Sequence, residues 1–134
     1  MAFVVDCSVA ARWFLPDEAT RYSEAALDLL GHEIAHVPAL WTAEFANVML
    51  KLERQRLLKP GLAAGIFGRA EILGLVVDHR PPVPSRLHDL ARQFNLSAYD
   101  ACYLELALRL GAPLACIDGG LKQAARKVGL LLTL

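Results

Sequence analysis

The chain has 134 residues, of which 55% are hydrophobic, and its mean hydropathy is +0.36. This length suits a single domain with one core, and the high apolar content excludes an intrinsically disordered chain. Fourteen basic and fourteen acidic residues give a formal net charge of zero, which argues against a protein that coats nucleic acid nonspecifically, since such proteins are usually basic.

The first half of the chain alternates short β-prone runs with helical segments. The run "AFVVD" (2–6) is apolar, ends at an aspartate and predicts a buried strand, and 34–37 predicts a second strand that a proline closes. Apolar periodicity with Pro or Gly stop signals predicts three helices, over 7–15, 18–31 and 39–57.

The second half continues this alternation. Strands are predicted over 75–79 and 113–118, and "LLLTL" (130–134) predicts an edge strand. The proline-rich stretch 80–85 predicts a loop rather than a domain linker. Helices are predicted over 62–74, 85–95, 95–110 and 121–128.

The predicted strands are continuous apolar runs and do not alternate between apolar and polar residues. Such strands are typical of a parallel sheet that helices cover on both faces. We therefore predict one domain over 1–134 of the α/β class, a three-layer α/β/α sandwich with a four- or five-stranded parallel sheet.

The topology places four carboxylates at one edge of this sheet. Binding sites in such folds form at the carboxyl ends of the strands, where the helices that run antiparallel to the strands begin. Asp6 ends the first strand and Asp118 ends the fourth. Glu44 lies near the start of the long helix, and Asp100 lies in the first turn of the helix before the fourth strand.

On a helical wheel, Asp100 and Glu44 lie away from the faces that are expected to be most exposed. In the helix 95–110, Glu105 and Arg109 lie close together and are expected to mark the exposed face. Asp100 points roughly 160° away from them, toward the buried side. Glu44 lies on the flank of its helix's core stripe. That stripe is predicted to consist of Trp41, Phe45, Val48 and Leu52.

Each acid also has a purely structural interpretation. Asp6 is a suitable N-cap for the first helix, and Glu44 is a carboxylate that the helix dipole stabilises. Ser97 and Asp100 have the spacing of a capping box, and Asp118 suits the turn before two glycines. Taken singly, these interpretations are favoured.

Taken together, the four acids favour a metal site. Half-buried carboxylates that converge at one edge repel each other and lose solvation, and a divalent cation would remove this conflict. A set of oxygen ligands without His or Cys suits Mg²⁺ or Mn²⁺. Carboxylates around one or two such ions are typical of phosphodiester hydrolysis.

Four stretches, taken together, resemble the PIN domain family, and within it the VapC-type toxin ribonucleases of bacterial and archaeal toxin–antitoxin pairs. They are "VVDCSVAARWF", "AEFANVML", "LSAYDACYLELA" and "PLACIDGGLKQAA", and the resemblance covers essentially the whole chain. It implies a PIN-like fold and a Mg²⁺- or Mn²⁺-dependent endoribonuclease that cleaves RNA phosphodiesters by a metal-activated water. The catalytic and metal-binding residues would be Asp6, Glu44, Asp100 and Asp118.

The resemblance also implies supporting residues and shows two departures. Ser8 stands where the family often has a small hydroxyl residue, which could bond an acid or a metal water, or cap a helix. Asn47 matches a frequent E-x-x-N pattern and could orient Glu44 or be ordinary helix surface. Cys7 and Cys116 stand where the family often has Thr, and the lost hydroxyls would affect fine tuning rather than activity.

The partners implied by the resemblance are an RNA substrate such as tRNA, a VapB-type antitoxin and a second copy of the chain. DNA would be bound only through the antitoxin.

No apolar run of about 18 residues and no basic leader precede or interrupt the fold, so neither a membrane span nor a secretory signal is expected. Three cysteines without metal-site spacing indicate reduced thiols, and hence a cytoplasmic protein.

Two other functions remain open from the sequence. A degenerate PIN module would bind RNA or a protein partner without cleavage, although the presence of all four acids argues against it. A phosphoaspartate receiver usually has paired acids after its first strand, and an aspartyl phosphatase has D-x-D. Here a single Asp6 is followed by Cys-Ser.

Overall fold

The structure is a computed structural model that describes residues 1–117 and 119–134. Its strands are β1 (Ala2–Val5), β2 (Ile34–Pro38), β3 (Val76–Asp78) and β4 (Leu114–Ala115). Its first four α-helices are α1 (Cys7–Arg12), α2 (Arg21–Leu29), α3 (Leu40–Arg54) and α4 (Leu62–Ile72). The others are α5 (Pro84–Phe94), α6 (Ala98–Leu110) and α7 (Gly119–Lys127), and Pro16–Glu18 form a short 3-10 helix.

The four strands form one parallel sheet in the order β3-β2-β1-β4. In β1, the consecutive residues Phe3, Val4 and Val5 are all 0% exposed. Because neighbouring residues of a strand point to opposite faces, helices must cover both faces of the sheet. The prediction of an α/β sandwich with a parallel sheet of four or five strands is confirmed, with four strands.

The predicted edge strand over 130–134 is reduced to a single bridge. Leu131 bridges Leu114 in parallel, and the Leu132 N–H donates to the Leu114 carbonyl at 2.9 Å. The preceding strand β4 is itself short, since its register with β1 covers only Val4 and Val5. The end of the chain therefore extends the sheet by one pair of residues only.

Helix α6 is buried on several sides at once. It packs against β1, β2, α5 and α7, and Leu104, Leu106 and Ala107 are 0% exposed. This environment explains why its sequence is apolar almost all the way round. The helix carries Asp100 in its first turn, so this tight packing fixes the position from which that carboxylate projects.

The prediction that Glu105 lies on an exposed face is wrong. Glu105 is 7% exposed, and its carboxylate accepts from Arg109 at 2.8 Å. The Arg109 guanidinium also donates two hydrogen bonds to the Asp78 carboxylate, at 3.0 and 2.7 Å. One arginine therefore neutralises both acids and connects α6 to the end of β3.

The core stripe of α3 differs slightly from the predicted one. Trp41 and Phe45 are buried and their rings stack at 4.8 Å, as the pattern predicts. Met49 completes the stripe at 0% exposure, whereas Val48 and Leu52 are only partly buried. Glu44 is half-buried on the flank of this stripe, as predicted.

In the described part of the chain, no helix is long and apolar enough to cross a membrane.

Candidate active site

A cleft of about 470 Å³ opens beside the carboxyl end of β1. Asp6 directly follows β1, Glu44 lies on α3 and Asp100 lies on α6, and all three line this cleft. The structure thus brings together three of the four predicted acids, while Asp118 lies outside the described residues. The other lining residues are Cys7, Ser8, Asn47, Val48, Tyr103, Gly119, Gly120 and Leu121.

Asp6 caps a helix and lines the cleft at the same time. Its Oδ1 accepts from the Val9 N–H and from the Ser8 hydroxyl, both at 2.9 Å. Burial raises the pKa of Asp6 to about 6, against the lowering effect of these two hydrogen bonds, and the charges of Asp100 and Glu44 raise it further. The predicted N-cap role is observed, and it fixes one carboxylate oxygen while the group still borders the cleft.

At the start of α6, only half of the predicted capping box forms. The Ser97 hydroxyl accepts from the Asp100 backbone N–H at 3.0 Å. Within residues 1–117 and 119–134, the Asp100 carboxylate accepts no hydrogen bond in return. The side chain is half-buried, and desolvation raises its pKa. The helix start is therefore completed by Ser97, and the Asp100 carboxylate remains available to a ligand.

Glu44 is held by a residue that the sequence analysis did not single out. The Tyr103 hydroxyl donates to Oε1 of Glu44 at 2.5 Å. Burial raises the pKa of Glu44, the Tyr103 hydrogen bond opposes this, and the Asp100 charge adds to it. Tyr103 lies three residues after Asp100 on α6, so the i, i+3 spacing on one helix face was the signal available in the sequence.

Ser8 and Asn47 both line the cleft, with different contacts. Ser8 bonds the Asp6 carboxylate, which is one of the two roles expected for it. Asn47 is exposed on the cleft wall and, within the described ranges, forms no hydrogen bond with Glu44.

Cys7 also lines the cleft. Burial, together with the charges of Glu44 and Asp6, raises the pKa of its thiol to about 12, so Cys7 forms a neutral part of the wall.

Among the described residues, the three acids have no cationic partner. In the part of the chain that the structure describes, no Lys, Arg or His forms an ion pair with Asp6, Glu44 or Asp100. Nor do three metal-ligating side chains there lie close enough to make a preformed metal cluster. The carboxylates surround the cleft without forming a closed ligand shell.

This donor set matches the chemistry of a hard divalent cation. All three groups offer carboxylate oxygens, and the cleft has room for water beside them. Mg²⁺ gives up its water reluctantly and is usually held by one or two carboxylates with several waters, so an open arrangement of acids suits it. The residues present fit such an ion better than Zn²⁺, which favours closely set His and Cys ligands.

The raised pKa of Asp6 predicts that Asp6→Asn stabilises the protein in EDTA at pH 8, by about 3 kcal/mol. The folded pKa of about 6 lies above the reference value of 3.8, so the native state binds this proton more tightly. The contribution of Asp6 to native stability therefore falls as pH rises between those values and then levels off. Asparagine removes the charge and keeps an oxygen for the Val9 N–H.

Urea unfolding at pH 8 and pH 4 measures this effect, because the difference between Asp6→Asn and wild type should shrink to a small fraction at the lower pH, which lies close to the reference value of 3.8. Asp28→Asn is the matched control, since Asp28 is exposed on α2. An Asp6→Asn protein that is less stable than wild type at pH 8 would contradict the prediction.

Comparison with known proteins identifies the family of this chain. The sequence model of the PIN domain matches residues 3–127. The chain belongs to the PIN domain family. Ribonuclease VapC3 of Pyrobaculum aerophilum is 29% identical over 135 residues, which cover 99% of this chain and 99% of that protein.

The fold of this PIN domain is also found in a solved structure. The crystal structure of PAE2754 from Pyrobaculum aerophilum superimposes with a TM-score of 0.66 and 21% sequence identity, and the match covers 92% of this chain and 84% of that one. The likeness supports the architecture described above, a parallel sheet covered by helices.

Proposed function

We propose that this PIN domain is a metal-dependent endoribonuclease and the toxin of a VapBC-type toxin–antitoxin pair. The observation that carries the proposal is that Asp6, Glu44 and Asp100 meet in one cleft, where no cation of residues 1–117 and 119–134 pairs with them. Three semi-buried carboxylates that repel each other lower the stability of the fold, and a bound cation would offset this repulsion. The family match and the similarity to a ribonuclease support RNA cleavage as the reaction in which this cation would take part.

Asp6, Glu44 and Asp100 would hold Mg²⁺ or Mn²⁺, and we propose Asp118 as the fourth acid. When bound, the cation supplies charge neutralisation for the phosphate oxygens and lowers the pKa of a water nucleophile. Ser8 keeps the Asp6 carboxylate oriented through its hydrogen bond. Asn47 offers an exposed amide on the cleft wall, where an RNA strand would pass.

We further propose a VapB-type antitoxin as the protein partner, a homodimer as the working form, and structured RNA such as tRNA as the substrate. DNA would be bound only through the antitoxin, in the cytoplasm. Exposed apolar side chains on α4 support a protein partner, since Leu62 is 52% exposed and Ile72 is 84% exposed. One continuous hydrophobic cluster supports a single domain over 1–134.

RNA cleavage assays test the proposal directly. The purified protein is expected to cut structured RNA with Mg²⁺ or Mn²⁺ and to lose this activity in EDTA, and adding excess Mn²⁺ should restore it. Cleavage that persists in EDTA would contradict metal dependence. RNA binding without cleavage under every metal condition would instead favour the degenerate module.

A further inference from the structure

The Tyr103 hydroxyl connects the two helices that carry Glu44 and Asp100. It donates to Oε1 of Glu44 at 2.5 Å, across 59 residues of sequence. Tyr103 is 2% exposed, so packing fixes the point from which the hydroxyl acts. Because Tyr103 lies one turn after Asp100, the same face of α6 presents an acid and a hydroxyl to one cleft.

The carboxylate of Glu44 depends on this hydroxyl for its orientation. Within residues 1–117 and 119–134, no other hydrogen bond and no ion pair reaches it. Within the same ranges, Asn47, one turn along α3, forms no hydrogen bond with it. Without Tyr103, a flexible glutamate on the flank of a helix could adopt several rotamers, and its position relative to α6 would be undefined.

We propose that Tyr103 is a positioning residue of the metal centre, which fixes one oxygen of Glu44 and leaves the other available to the cation. This inference rests on the proposed metal-dependent function. Groups that hydrogen-bond a ligating side chain orient it and lower the cost of ordering it when the ion binds. Tyr103 therefore acts through Glu44 and needs no contact with the ion or with RNA.

Tyr103→Phe tests this role because it removes the hydroxyl and keeps the ring. Isothermal titration of the metal-free protein with Mn²⁺ should show a dissociation constant about 10- to 100-fold higher than that of wild type. Cleavage should fall at low Mn²⁺ and recover as Mn²⁺ is raised by the same factor, with little change in kcat at saturating metal.

Tyr22→Phe is the matched control. The Tyr22 hydroxyl donates to the Leu132 carbonyl at 2.6 Å, and Tyr22 does not line the cleft. Its loss should lower stability and leave Mn²⁺ affinity unchanged. In a Glu44→Gln background, Tyr103→Phe should cause no further loss of affinity, because the two residues act as a unit.

The outcomes separate this inference from the function on which it rests. Equal Mn²⁺ affinity for wild type and Tyr103→Phe would overturn the role of Tyr103 while the metal site stands. An equal loss in Tyr22→Phe would also overturn it, since the effect would then be general destabilisation. A wild-type protein that binds no Mn²⁺ would overturn the metal centre and the role of Tyr103 together.

Discussion

Replacing Asp100 with asparagine is expected to reduce metal-dependent RNA cleavage by at least about a hundredfold and to leave the fold intact. Asparagine has nearly the same size but removes one negative charge from the cleft. The start of α6 should survive, because the Ser97 hydroxyl accepts from the backbone N–H of residue 100 and not from its side chain. The loss would therefore be chemical rather than structural.

Initial rates on one RNA with saturating Mn²⁺, together with thermal unfolding, measure the two parts of this prediction. Asp89→Asn is the matched control, since Asp89 is exposed on α5 and does not line the cleft. Wild-type activity in Asp100→Asn would exclude Asp100 from the active site. A comparable loss in Asp89→Asn would show that the assay responds to charge in general.

Replacing Arg109 with alanine is expected to lower the free energy of unfolding by about 3 kcal/mol. The variant leaves Glu105, which is 7% exposed, without its partner at 2.8 Å. A buried carboxylate without a partner costs more than the lost ion pair alone, since its desolvation is no longer offset. The contact between α6 and Asp78 would be lost as well.

Urea unfolding at neutral pH measures this difference, with Arg92→Ala as control. Arg92 is exposed in the last turn of α5 and forms no ion pair within the described residues.

The Arg109 hydrogen bonds lower the pKa of Asp78. The stabilisation of the folded state by this pair is therefore present at neutral pH and is lost as pH falls through that lowered pKa. The gap between wild type and Arg109→Ala should therefore narrow in acid. Equal stability of the two arginine variants at neutral pH would contradict the argument.

The fold was predictable because its predicted strands are continuous apolar runs that alternate with helices. Continuous apolar runs such as 2–5 can only be buried on both faces, and their alternation with helices specifies a parallel sheet. That topology places Asp6 next to the starts of α3 and α6 without any knowledge of side chains. The cleft lined by Asp6, Glu44 and Asp100 lies where this reasoning predicted it.

The contacts that depend on distant partners were not predictable. The wheel treats Glu105 as solvent-exposed because it is charged, whereas Arg109 neutralises it and is itself held by Asp78, 31 residues away. Tyr103 has the sequence pattern of a core residue, and only the fold shows that its hydroxyl reaches Glu44. Periodicity measures average burial around a helix and carries no information on which polar atoms meet.

The mutual repulsion of Asp6, Glu44 and Asp100 also affects how this chain can change over generations. A substitution of Asp6 or Asp100 by its amide removes repulsion, so descendants that lose the proposed activity in this way should fold as well as the parent or better. Proteases and chaperones recognise unfolded chains, and they would not remove such descendants. Such copies would accumulate to normal abundance and would still occupy the partners proposed above. Only selection on activity itself then retains the acids.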